Sequence, residues 1–132
     1  MPDDNETEKI TINVVPVDLG KMDLLVDQGL FASRSDLIRT AIRRLLDENA
    51  AVVNEAITRK AYNVGVIALG QKSLQSMRDK GERLRILSVG RLILRADVDP
   101  DTADAVIESI VVKGSMKMSP EVRARIADRI NA

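Results

Sequence analysis

Residues 9–15 alternate between polar and apolar side chains, with Lys9, Thr11 and Asn13 on one side and Ile10, Ile12 and Val14 on the other. A period of two carried by β-branched residues describes a half-buried strand. Pro16 cannot donate to a ladder and ends it. No second strand pattern follows until Val64, beyond two helical stretches. This isolation constrains the fold more than any other feature. A lone strand leaves unpaired backbone on both edges, and one strand with two short helices is too small to bury a core. Both problems vanish if two copies pair their strands antiparallel about a two-fold axis.

The helices are readable from spacing. Leu19, Met22, Leu25 and Val26 recur at three or four residues and predict one face of a short amphipathic helix, weakened at Gly20 and stopped by Gly29. Ser33 and Asp36 form a Ser-x-x-Asp start close to a capping box. Leu37, Ile38, Ala41, Ile42, Leu45 and Leu46 then mark a helical stripe running to about Glu48, with Arg39, Arg43 and Arg44 mostly off it. The organisation expected is an acidic flexible tail over 1–8, a strand-helix-helix module over 9–48, a connecting helix over 49–62 and a small α+β domain over 63–132.

In that last domain, 64–69 reads as a strand ended by Gly70, and 72–79 as a helix ended by Gly81. Residues 84–87 and 92–94 read as two strands around a Val89-Gly90 turn. Asp99-Pro100-Asp101 starts a helix expected to reach Ser109, and 110–112 and 116–118 read as strands. Ser119-Pro120-Glu121 is a helix start with serine as N-cap and proline at the first position. A weak repeat appears at an offset of 24: Gly90 with Gly114, Leu92 with Met116, Leu94 with Met118, Val98 with Val122, Ala103 with Ala127, Asp104 with Asp128. Two copies are fewer than a solenoid needs, so the expectation is a pseudo-symmetric α+β unit.

Composition limits the chemistry. The 132 residues contain no Cys and no His, which removes disulfides, the commonest neutral-pH acid–base catalyst and the commonest transition-metal ligand. One Phe, one Tyr and no Trp leave little to stack on single-stranded bases. No nucleophile–base pair or glycine-rich phosphate loop appears, so no catalytic residue, cofactor or enzyme activity is expected. Asp97, Asp99, Asp101 and Asp104 have the oxygen chemistry of a hard-cation site, but an Asp-Pro-Asp helix start is better read as capping, and no metal is assigned. No stretch approaches the length of a membrane span, and no basic-then-apolar leader opens the sequence, so the expected location is cytoplasmic. The 20 basic side chains equal the 20 acidic ones, without the basic excess usual in nucleic-acid binders. The acids are concentrated at the start, where Asp3, Asp4, Glu6 and Glu8 occur without a base.

A two-stranded ribbon fits the major groove. Its outward residues would be Lys9 for guanine acceptors, Thr11 for a hydroxyl contact or a thymine methyl, and Asn13 for a two-point contact to adenine. The free N–H groups at the helix start near Ser33, Arg34 and Ser35 suit a phosphate.

In this order of strand, proline, helix, glycine and capped helix, the chain resembles the ribbon-helix-helix family of bacterial regulators that includes CopG, Arc, MetJ and NikR. The matching text is Lys9-Ile-Thr-Ile-Asn-Val-Val-Pro16, Leu19-x-x-Met22-Asp23, Gly29 and Ser33-Arg-Ser-Asp-Leu-Ile-Arg39. The resemblance implies an intertwined homodimer that binds double-stranded DNA, with Lys9, Thr11 and Asn13 reading bases and Ser33 with Arg34 gripping phosphate. It does not extend to a nickel site, whose His and Cys ligands are missing here. A sequence-specific repressor is thus the leading expectation. An antitoxin and a self-associating module without DNA binding are the alternatives, and a dimer-to-tetramer or regulatory role is the expectation for 63–132.

Overall fold

The computed structural model describes residues 7–131, which divide into two compact units, Lys9–Ala56 and residues 57–131, the second also taking in Thr7 and Glu8. The first contains α1 (Pro16–Asp27), α2 (Arg34–Glu48) and most of α3 (Ala50–Lys60). Pro16 opens α1, where its missing N–H is no loss, and Gly29 leaves it at a φ of +82° that favours glycine. The apolar residues of α1 are not confined to one face. Of the four residues expected on one face, Leu19, Met22 and Val26 are half-buried and Leu25 is exposed, and Val17 and Leu24, outside that set, are exposed as well.

Residues 7–15 form no strand with any described residue. The expected strand at 9–15 therefore has no ladder among the described residues, since a strand is defined by its partner. Ile10 and Ile12 are 74% and 63% exposed. No residue between Lys9 and Ala56 is buried, and the stripe of α2 ends in Ile42, Leu45 and Leu46, all open to solvent.

The second unit alternates strand and helix: β1 (Asn63–Leu69), α4 (Gln71–Asp79), β2 (Leu84–Leu94), α5 (Pro100–Val106), β3 (Ile107–Lys117), α6 (Pro120–Arg125), a 3₁₀ turn (Ala127–Arg129) and β4 (Ile130–Asn131). The strands lie in the order β1-β2-β3-β4, and every pairing is parallel. Leu74 of α4, Ala103 and Val106 of α5, and Val122 and Ile126 of α6 share one core with Ile86, Leu92, Leu94, Ile110 and Val112 of the strands. The crossover helices thus pack on a common face of the sheet. Among the described residues no helix is long and apolar enough to cross a membrane.

Three sequence expectations are overturned in this unit. The strands expected on either side of Val89-Gly90 are one strand, β2, and those at 110–112 and 116–118 are one strand, β3. The helix expected to reach Ser109 stops at Val106, because Ile107, Ile110 and Val112 enter the sheet core. The glycines were misleading because a glycine can serve close approach as well as a turn. Gly65 pairs with Gly90, and Gly90 with Gly114, all at positive φ. A Cβ on Gly90 would lie 2.1 Å from the Gly65 oxygen, and one on Gly114 would lie 2.0 Å from the Gly90 oxygen. The repeat at offset 24 is therefore structural, and β1 adds a third copy at an offset of 25. Ile67, Leu92 and Met116 are in register, and Leu69 pairs with Leu94. The repeat fails in the last helix, where Ala103 is buried and Ala127 exposed.

The expected flexible tail over 1–8 lies outside the described residues for 1–6. Glu8 does not behave as a free solvated acid, since its Oε1 accepts from Nη1 of the largely buried Arg91 at 2.9 Å.

Candidate nucleic-acid interface

The start of α2 is built by reciprocal capping. Ser33 Oγ accepts from the Asp36 N–H at 3.1 Å, and Asp36 Oδ2 accepts from the Ala32 N–H at 2.9 Å. Two of the donors at this turn are thereby satisfied. The Arg34 and Ser35 N–H groups come one turn too early to find a carbonyl within the helix, so they remain the donors available to an outside acceptor. They stand at the positive end of the helix dipole, partly offset by the Asp36 carboxylate in the first turn.

Arg34 has a second attachment. Its Nε and Nη2 donate to the two carboxylate oxygens of Asp23 at 2.7 and 2.8 Å, a fork-to-fork pair that ties α2 to α1. These hydrogen bonds hold the Asp23 carboxyl below its usual range and the guanidinium above its own. Both side chains are about half exposed, so the pair fixes geometry more than it stabilises. The expected phosphate contact by Arg34 must therefore come from its backbone N–H or from the edge of the guanidinium turned away from Asp23. Sequence reading missed Asp23 as a partner, because an 11-residue separation across a turn has no periodic signal.

Lys9, Thr11, Asn13, Ser33, Arg34 and Ser35 are all exposed. Among the described residues no hydrogen bond or ion pair links 9–15 to the start of α2. Arg39, Arg43 and Arg44 are exposed on α2, off its apolar stripe.

The acids considered for a hard cation serve different ends. Asp97 Oδ1 accepts from the Gln71 N–H at the start of α4 at 3.2 Å, and Gln71 Oε1 in turn accepts from the Asp99 N–H at 2.8 Å. Asp101 pairs with Arg125, and Asp104 with both Arg125 and Arg129. Arg129 also donates to the carbonyls of Asp104 and Ile107, closing the end of α5. No cluster of three or more ligating side chains forms among the described residues.

In comparisons with known proteins, residues 5–123 match the ribbon-helix-helix transcriptional regulator family. No curated protein and no solved structure matches the chain. The family match takes in the first unit and continues through β1, β2 and β3 of the second into α6, and the 3₁₀ turn and β4 lie beyond it. From the isolated polar-apolar segment, the proline, the capped second helix and this match, the chain belongs to the ribbon-helix-helix transcriptional regulator family.

Proposed function

We propose that the protein is a homodimeric, sequence-specific DNA-binding repressor acting in the cytoplasm, in which residues 9–15 of two copies pair as an antiparallel ribbon. The observation that carries this reading is the absence of any buried residue from Lys9 to Ala56, although the segment is rich in apolar side chains at helical and strand spacing. A second copy supplies the missing cover. Pairing the two segments gives each a ladder and turns Ile10, Ile12 and Val14 of both toward the helices.

The polar side of the ribbon then presents Lys9, Thr11 and Asn13 twice, related by two-fold symmetry, to the edges of bases in the major groove. The Arg34 and Ser35 N–H groups, with the Ser33 hydroxyl, hold a backbone phosphate on each side and fix the register without carrying sequence information. Asp23 holds the Arg34 fork, leaving the far edge of the guanidinium to add to that contact. Acids balance bases overall, so affinity rests on local placement of charge. Repression follows from occupying a site that the transcription machinery needs.

Selection from random double-stranded DNA tests this directly. It should enrich a short, two-fold-related sequence. Replacing Lys9, Thr11 and Asn13 together with alanine should remove that preference while the dimer survives. A monomer at micromolar concentration, or a selection that enriches nothing, would sink the reading.

A further inference from the structure

The two open edges of the second unit's sheet are treated differently. On the β3 side, β4 pairs only with Ile110 and Val111, and the uncovered remainder of β3 carries Lys113 and Lys117. Lysines on an edge are a common device against unwanted pairing. On the other side β1 is the terminal strand. Its seven residues, Asn-Val-Gly-Val-Ile-Ala-Leu, contain no charge, no proline and no shortening. Val64 is 68% exposed. A window of this kind, left open, would pair with any available strand. Among the described residues, one edge is guarded and no strand pairs with the other.

We propose that β1 pairs antiparallel with β1 of a second copy, joining the two sheets across a two-fold axis. The occupant follows from charge and closure. An uncharged strand can face itself without placing like charges opposite one another, and a self-complementary contact closes at two copies. The competing arrangement sets β1 of one copy beside the open half of β3 in the next and continues the glycine stack. It would lay Lys113 and Lys117 along an uncharged strand and grow without end. This inference rests on the homodimer proposed above, because ribbon and β1 then join the same two copies. It gives the second unit a role as the second clasp of that dimer.

Pairing over the full strand sets Val66 opposite the Val66 of the other copy and Val64 opposite the other copy's Ala68. The natural sequence has no Cys, so single-cysteine variants of the full chain report these neighbours cleanly. Val64→Cys, Val66→Cys and Ala68→Cys are treated with a bismaleimide reaching about 8 Å, the span of direct and diagonal neighbours in an antiparallel pair. Val66→Cys should shift to doubled mass. A mixture of Val64→Cys and Ala68→Cys should do the same, whereas Val64→Cys alone should stay at single mass. Sedimentation of the untreated variants separates the two readings. If they sediment as dimers and none cross-links, the ribbon dimer stands and the β1 pairing is overturned. If they sediment as monomers, both fall. Cross-linking of Val64→Cys to Lys113→Cys would replace the closed pairing with the head-to-tail one and overturn the proposal.

Discussion

Replacing Gly90 with alanine should destabilise the second unit more than the same change at Gly65, and the comparison isolates one physical effect. Both glycines hold positive φ, +135° at Gly90 and +123° at Gly65. Alanine at either position carries the strain of a backbone region reserved for glycine, about 1–3 kcal/mol. At Gly65 a Cβ would meet nothing within 4 Å, but at Gly90 it would sit 2.1 Å from the Gly65 oxygen. That atom belongs to a neighbouring strand and cannot swing away. The β1–β2 ladder must open locally, which adds about 1–3 kcal/mol as in other overpacked interiors. Gly90→Ala should therefore lose about 2–6 kcal/mol and Gly65→Ala about 1–3 kcal/mol. Tyr62, the one tyrosine, sits just before β1 in a chain without tryptophan. Its fluorescence follows the second unit through urea unfolding. With a slope near 1 kcal/mol per molar, the two midpoints should differ by about 1–3 M. Equal midpoints would show that the stacked glycines are not held by close approach, and the reasoning would be wrong.

Other perturbations test other parts. Ser33→Ala removes the oxygen that accepts the Asp36 N–H and should lower the stability of the first unit by about 1 kcal/mol, read from helical circular dichroism. Ser88 Oγ is fully buried with no hydrogen-bond partner among the described residues, so Ser88→Ala should raise the stability of the second unit by about 1 kcal/mol; a drop in the Tyr62 midpoint would refute this. Hydrogen bonds from Arg129, and after them the pairing with Arg125, hold the Asp104 carboxyl below its usual range. The unfolded chain then binds that proton at higher pH than the folded one. The stability this supplies is present above the usual aspartate range and is lost as pH falls through the depressed value. Asp104→Asn should accordingly flatten the acid side of the stability profile; an unchanged acid limb would count against the pairing. Leu45→Ala, which shortens an exposed member of the α2 stripe, should weaken the dimer in sedimentation and leave the Tyr62 transition in place.

How much was legible in the sequence differed between the two halves. In the first, α2 declared itself through its stripe and its Ser33 cap, because helix periodicity and capping are local. The residues proposed to read DNA came from the same local source, the alternation at 9–15. Arg34's tie to Asp23 did not, because it joins two helices across a turn and depends on how they pack. In the second half the elements were largely visible, but their joins were not. Gly90 and Gly114 read as turns, since glycine's freedom looks the same in sequence whatever use is made of it.

The sequence alone therefore determined the first unit's local elements, the absence of Cys and His, and the isolation of residues 9–15 from any strand pattern before Val64. Only the tertiary structure decided that the glycines stack across three parallel strands, that Asp97 and Asp104 serve caps and ion pairs, and that β1 is the terminal strand of its sheet. These depend on which strand lies beside which. Parallel pairing brings together residues some two dozen positions apart, beyond the reach of any local pattern.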